Sequence, residues 1–317
     1  MGLTVGTARL IGLFVTDILL GMHLITFFNS LWIQLFRERG PGRKPNRILI
    51  AVTLTMGAIG ILNACTDLAL NNRVFVVTSG DTSLFTDLSY WMNVVQDLCM
   101  ILQPMIGDAM LVYRFWAIYG RRWKVTIPYF VIWLAACSLA ITIIVLSIKS
   151  HSPSGFNSPQ FAPFIGAALI LTVINNIITT GLIVFRLWKI TRVTRAQVVG
   201  RHRLLVVMRI IIDSGLLYTL TAIVFLGTTV SQNSSDYVFG GVIVQVTAIA
   251  FNLVIIRLNQ SSSPDDVGTS KTGPSAFVLD TLASSERGMN TARGVIHPVQ
   301  LHMSRDSDPD EGSMPVK

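Results

Sequence analysis

Apolar positions in this chain gather into seven long runs, Ala8–Phe36, Ile48–Leu70, Leu88–Tyr119, Val125–Ile148, Phe161–Trp188, Leu204–Val230 and Tyr237–Leu258. A helix needs about 20 mostly apolar residues to cross about 30 Å of hydrocarbon, where it alone among open structures satisfies its own backbone hydrogen bonds. The pattern therefore predicts an all-α fold, a polytopic integral membrane protein whose residues 1–258 form one seven-transmembrane-helix bundle. From Asn259 the composition turns to Ser, Asp, Pro, Gly and Thr without apolar periodicity, so 259–317 is expected to be a disordered cytoplasmic tail. Ser307, followed by DPDE, looks like an acidic kinase site within it. No internal repeat joins two halves of the chain, and an odd number of spans speaks against a duplicated transporter fold.

Charge adds an orientation. The connections after the first, third and fifth runs hold Arg37, Arg39, Arg43, Lys44 and Arg47, then Arg121, Arg122 and Lys124, then Lys189, Arg192, Arg195, Arg201, Arg203 and Arg209, with Glu38 their only acid. The other connections carry Arg73 and Lys149 beside Asp81, Asp87 and Asp236. Basic loops stay in the cytoplasm, so the N-terminus is expected outside and the C-terminus inside. Of the membranes sharing this bias, the plasma membrane is the expected one. The net charge of +8 thus reports topology and contact with anionic lipid of the bilayer, and no nucleic acid is expected as a partner.

Composition agrees: 51% of residues are hydrophobic and 13% charged, outside the range of a soluble domain of this length. The first run lacks a short apolar core with a small-residue cleavage site and contains Asp17 and His23, so an uncleaved anchor is expected. Cys65, Cys99 and Cys137 all fall inside runs, where a disulfide is not expected. Asn233 is the one glycosylation sequon on the expected outer side. Trp32, Trp91, Tyr119, Trp123, Trp188 and Tyr237 sit at run ends, as an interfacial aromatic belt does.

An ionisable group facing hydrocarbon costs about 2.5–3.5 kcal/mol on insertion scales, so each one inside a run calls for a partner, a cavity or a function. In the third run Asn93, Asp97, Pro104 and Asp108 share one helical face, with Gln96 and Gln103 beside it, which makes this span the expected centre of the bundle. Sorted by depth, Asp17, Asn63, Asp67 and Asp97 fall in the outer half. Three carboxylates with no intramembrane Lys or Arg nearby fit a cavity for a cation or an ammonium-bearing ligand; the alternative is that they hydrogen-bond across helices. Asp108, Arg114, Asp213 and Asn252 fall in the inner half, with Asn175 and Asn176 near the middle. There Asp108 or Asp213 could pair with Arg114 or a loop arginine as an ionic latch, or Arg114 could simply snorkel to the interface. His23 is the only histidine within a run, which excludes a three-histidine zinc site and leaves a packed or hydrogen-bonded role. No catalytic constellation, phosphate-cradling motif, metal site or cofactor signature stands out, so no enzyme is expected.

The segment Gly107–Pro128, GDAMLVYRFWAIYGRRWKVTIP, resembles a signature of a large group of fungal seven-helix membrane proteins abundant in mushroom-forming fungi. Its Gly107, Asp108, Tyr113, Arg114, Trp116, Arg122 and Trp123 carry the resemblance, which extends over about residues 8–258. It implies the receptor-like layout and no activity. The last run has no lysine for retinal, and VYRFW and FNLVIIR stand where a rhodopsin-class receptor would show Asp-Arg-Tyr and Asn-Pro-x-x-Tyr. The functional expectation is a receptor-like sensor of a small ligand, signalling to a cytoplasmic partner through the basic 189–209 loop. A proton- or cation-coupled transporter or channel is the alternative.

Overall fold

The computed structural model describes residues 4–37, 47–87, 89–120, 123–149, 162–193, 198–231 and 234–260. Arg39, Arg43, Lys44, Arg121, Arg122 and Arg195 of the basic connections, the Asn233 sequon, Leu88, Ser307 and the tail from residue 261 onward lie outside the described residues.

The chain forms α1 (Val5–Trp32), α2 (Arg47–Asn72), the single turn α3 (Ser83–Thr86), α4 (Trp91–Ile118), α5 (Trp123–Lys149), α6 (Ala162–Val193), α7 (Val198–Val230) and α8 (Asp236–Gln260). Short π-helical turns, Ile33–Arg37 and Arg73–Val77, extend α1 and α2. All seven long helices are long and apolar enough to span a membrane, so the protein is a multi-pass membrane protein built as a seven-helix bundle. Trp32, Trp91, Trp123 and Trp188 are exposed at helix ends, as interfacial anchors are. Cys65, Cys99 and Cys137 are free thiols.

Sequential long helices pack side by side, and α8 closes the ring against α1 while α4 reaches across to α6 and α8. The most enclosed helix is α8, with 78% of its spanning window buried against 28% for α4. The expectation that the polar third span forms the centre is corrected accordingly. Every residue from Val242 to Asn252 is buried, so α8 has no face turned to lipid. Such a helix is apolar all round because protein surrounds it, and lipid would ask for the same composition. Close approach to α1 depends on small residues: a Cβ on Gly12 would lie 3.3 Å from Val238 Cα, and one on Gly241 would lie 2.5 Å from Thr16 Oγ1. The polar stripe of α4 does face inward, with Asn93, Asp97, Gln103 and Asp108 all buried.

Candidate functional site

At the end of the bundle where α1 begins, the first turns of α1 carry Arg9 inward, and its guanidinium is buried. Arg9 Nη1 donates to Gln96 Oε1 at 2.8 Å, and Gln96 Nε2 in turn donates to Asp67 Oδ1 at 3.2 Å. The same Arg9 nitrogen lies 3.8 Å from Asp67 Oδ1, which also accepts from Asn71 Nδ2 at 3.2 Å. The guanidinium stacks over the Tyr237 ring at 4.4 Å and over Phe85 at 5.3 Å. One side chain from α1 thereby ties together α2, α3, α4 and α8. Planarity and five donors suit arginine to this task, since hydrogen bonding and ring stacking proceed at once.

Around that hub lies a cavity of about 50 Å³, counted as space open to the centre of a water molecule, with Arg9, Asn63, Asp67, Asp97, Asp236 and Tyr237 in its wall. Such a volume holds a few water-sized groups. Asp97 Oδ2 and Asp236 Oδ2 are buried and have no hydrogen-bond partner among the described residues. Asp236 Oδ1 accepts from the Tyr237 amide at 2.8 Å, so the first turn of α8 holds this carboxyl in place. Three carboxyl groups face one guanidinium in this lining.

Of the expected outer set, the structure brings Asn63, Asp67 and Asp97 together at this cavity. Asp17 is elsewhere: it is exposed on the outer surface of α1, between the exposed Phe14 and Ile18. The expectation that no basic side chain enters this half of the bundle is overturned by Arg9. Its position inside the first apolar run was the available signal. Asp236, read as a loop acid, is instead the first residue of α8 and part of the wall.

The expected inner set disperses. Asp213 Oδ2 accepts from Arg257 Nη1 of α8 at 3.2 Å, and both side chains are about half exposed. Arg114 lies over the Phe251 ring at 5.2 Å and lines a small cavity with Asn176 and Tyr218. Asp108 and Asn252 are buried, and neither pairs with Arg114. An exposed pair such as Asp213–Arg257 contributes little, so Asp213→Asn is expected to change the thermal unfolding free energy by less than about 1 kcal/mol. A loss several times larger, measured by tryptophan emission on heating, would show that the pair acts as a buried latch.

His23 is fully buried and packs where α1, α2 and α8 meet. Gln245 Nε2 donates to the Gly60 carbonyl at 2.9 Å, which leaves Gln245 Oε1 as acceptor for His23 Nδ1–H at 2.7 Å. Among the described residues, no group of three or more His, Cys, Asp or Glu is placed to hold a metal ion. No family model matches the chain, and no curated protein matches it.

Proposed function

We propose that this protein is a receptor-like sensor in which the cavity beside Arg9 receives a small cation or a primary ammonium group. The observation that carries this reading is the pair of buried carboxylate oxygens, Asp97 Oδ2 and Asp236 Oδ2, which face one cavity without a protein partner. An unpaired buried carboxylate is costly, and a cation bound by both would recover that cost only on binding. Arg9 already compensates Asp67, so the surplus charge belongs to the other two. With the basic connections in the cytoplasm, the cavity opens toward the outside, and the basic 189–209 segment faces a cytoplasmic signalling partner. No catalytic chemistry is part of this reading.

Ion or proton transport is the second reading, favoured by one arrangement: Met100, Ile165 and Phe225 form a wall shared with a deeper cavity around Asp108. Two cavities in series along α4, each with a carboxyl group in its wall, are what a relay needs.

Purified full-length protein separates the two. In thermal unfolding with sodium, ammonium or methylammonium chloride at constant ionic strength, a cation sensor gains saturable stability from one of them. Asp97→Asn is expected to weaken that effect about tenfold or more, the equivalent of about 1.4 kcal/mol. In proteoliposomes with an imposed gradient, no flux should exceed that of empty vesicles. Flux that vanishes in Asp97→Asn establishes transport and removes the sensor reading.

A further inference from the structure

A second cavity, about 80 Å³ by the same measure, lies between α4, α5, α6 and α7, with one residue of α8 in its wall. Its chemistry differs from that of the cavity beside Arg9. Most of the wall is apolar, and Ala136, Ala140 and Ala168 of α5 and α6 leave the room that larger side chains would fill. Two polar atoms break this surface. Asp108 Oδ1 on α4 and the Tyr218 hydroxyl on α7 are both buried and without a hydrogen-bond partner. Asp108 is 3% exposed and Tyr218 5%, so bulk water does not solvate them.

Two unpartnered polar groups in a low-dielectric pocket are costly to leave unmatched. Water held by Asp108, Tyr218 and Thr172 would satisfy these atoms but leave the hydrocarbon of the wall without a matching surface. Among the described residues no ion pair reaches Asp108, and the nearest arginine along α4, Arg114, is engaged with the Phe251 ring. The ligand that matches both parts of this surface has a cationic head with several N–H donors and a short hydrocarbon body. An ammonium has three donors, enough for Asp108, Tyr218 and Thr172, which also lines the cavity.

We propose that this cavity is a binding site for a small lipophilic primary amine, its ammonium held by Asp108 and Tyr218 and its alkyl chain lying against Ala136, Ala140 and Ala168. The site is separate from the cavity of the sensor reading and differs from it in its apolar wall; both take a primary ammonium, and neither depends on the other. Its volume is about half that of the 150 Å³ apolar cavity that takes up benzene, so the ligand is smaller than benzene, with a chain of about two or three carbons.

The test uses the full chain in nanodiscs with ethylamine and propylamine, each paired with the alcohol of equal length. Thermal stabilisation is expected to saturate with the amines and to be about tenfold weaker for the alcohols. In an Asp97→Asn background, which removes ammonium binding beside Arg9, the preference for amine over alcohol is expected to persist, and adding Asp108→Asn is expected to remove it. Ala140→Leu, which fills the cavity, is expected to abolish binding of both. Equal effects of amine and alcohol, or an unchanged Asp108→Asn, would overturn the proposal. So would loss of amine binding in Asp97→Asn, which would place the ligand beside Arg9. If Ala140→Leu does not fold, 3-bromopropylamine decides, since Trp133 lines the cavity. Saturable quenching that disappears in Trp133→Phe supports the site, and quenching that persists in the variant removes it.

Discussion

Arg9→Met is expected to destabilise the protein by about 3–5 kcal/mol, the loss typical of removing one partner from a buried charge cluster. The guanidinium is the only cation in the wall that also carries Asp67, Asp97 and Asp236. Without it, Asp67 loses its ion pair, Gln96 loses the donor at its Oε1, and the Tyr237 face loses a cation worth about 0.5–2 kcal/mol. Methionine keeps the length and apolar stem of the side chain, so the change isolates the charge from the packing. Arg9→Lys keeps the charge but not the planar geometry that reaches Gln96 while stacking on Tyr237, and is expected to fall between the two. The measurement is the unfolding midpoint in detergent, with size-exclusion profiles to show that each variant folds. Adding Asp67→Asn to Arg9→Met should recover part of the loss, because the two residues share one interaction. A variant within 1 kcal/mol of the parent would mean that Arg9 is not the counter-charge of this end of the bundle.

What the sequence made legible follows from which signals are local. Span hydropathy depends on each segment alone, and all seven spans appear where apolar runs predict them. The inward stripe of α4 was equally legible, since helical spacing fixes which residues share a face. Arg9 was not, although it lies within the first run. A charge near a span end is ordinarily satisfied by snorkelling, and its inward course depends on Asp67, Gln96 and Tyr237 from three other helices. Nor was the inner pairing legible, because Asp213 meets Arg257 through the register of α7 against α8, which composition does not encode. Asp17 teaches the converse lesson. The rule that a carboxylate turns inward placed it in the cavity, whereas the tight packing of Gly12 and Thr16 against α8 decides the rotation of α1 and leaves Asp17 outside.

That dependence of position on close packing makes a second variant severe despite its small size. Gly60→Ala is expected to destabilise the protein by about 1–3 kcal/mol, the range for forcing a methyl into a filled interior. A Cβ at Gly60 would lie 2.5 Å from His23 Cε1, 2.7 Å from His23 Nδ1 and 3.1 Å from Gln245 Oε1. Neither neighbour has room to yield, because His23 and Gln245 are both fully buried. Displacing the ring also breaks the 2.7 Å hydrogen bond to Gln245, a further loss of about 1 kcal/mol. Against these terms stands the helix propensity of alanine over glycine, about 1 kcal/mol in the opposite direction. The balance remains unfavourable. Gly21→Ala is the matched control, since nothing lies within 4 Å of its added methyl and only the propensity gain should register. The two alanines are thus expected to shift the unfolding midpoint in opposite directions. In a His23→Ala background the two shortest contacts are gone and Gln245 Oε1 at 3.1 Å remains, so most of the cost of Gly60→Ala should disappear. A cost that persists there would move its cause from the His23 contact to the α2 backbone itself.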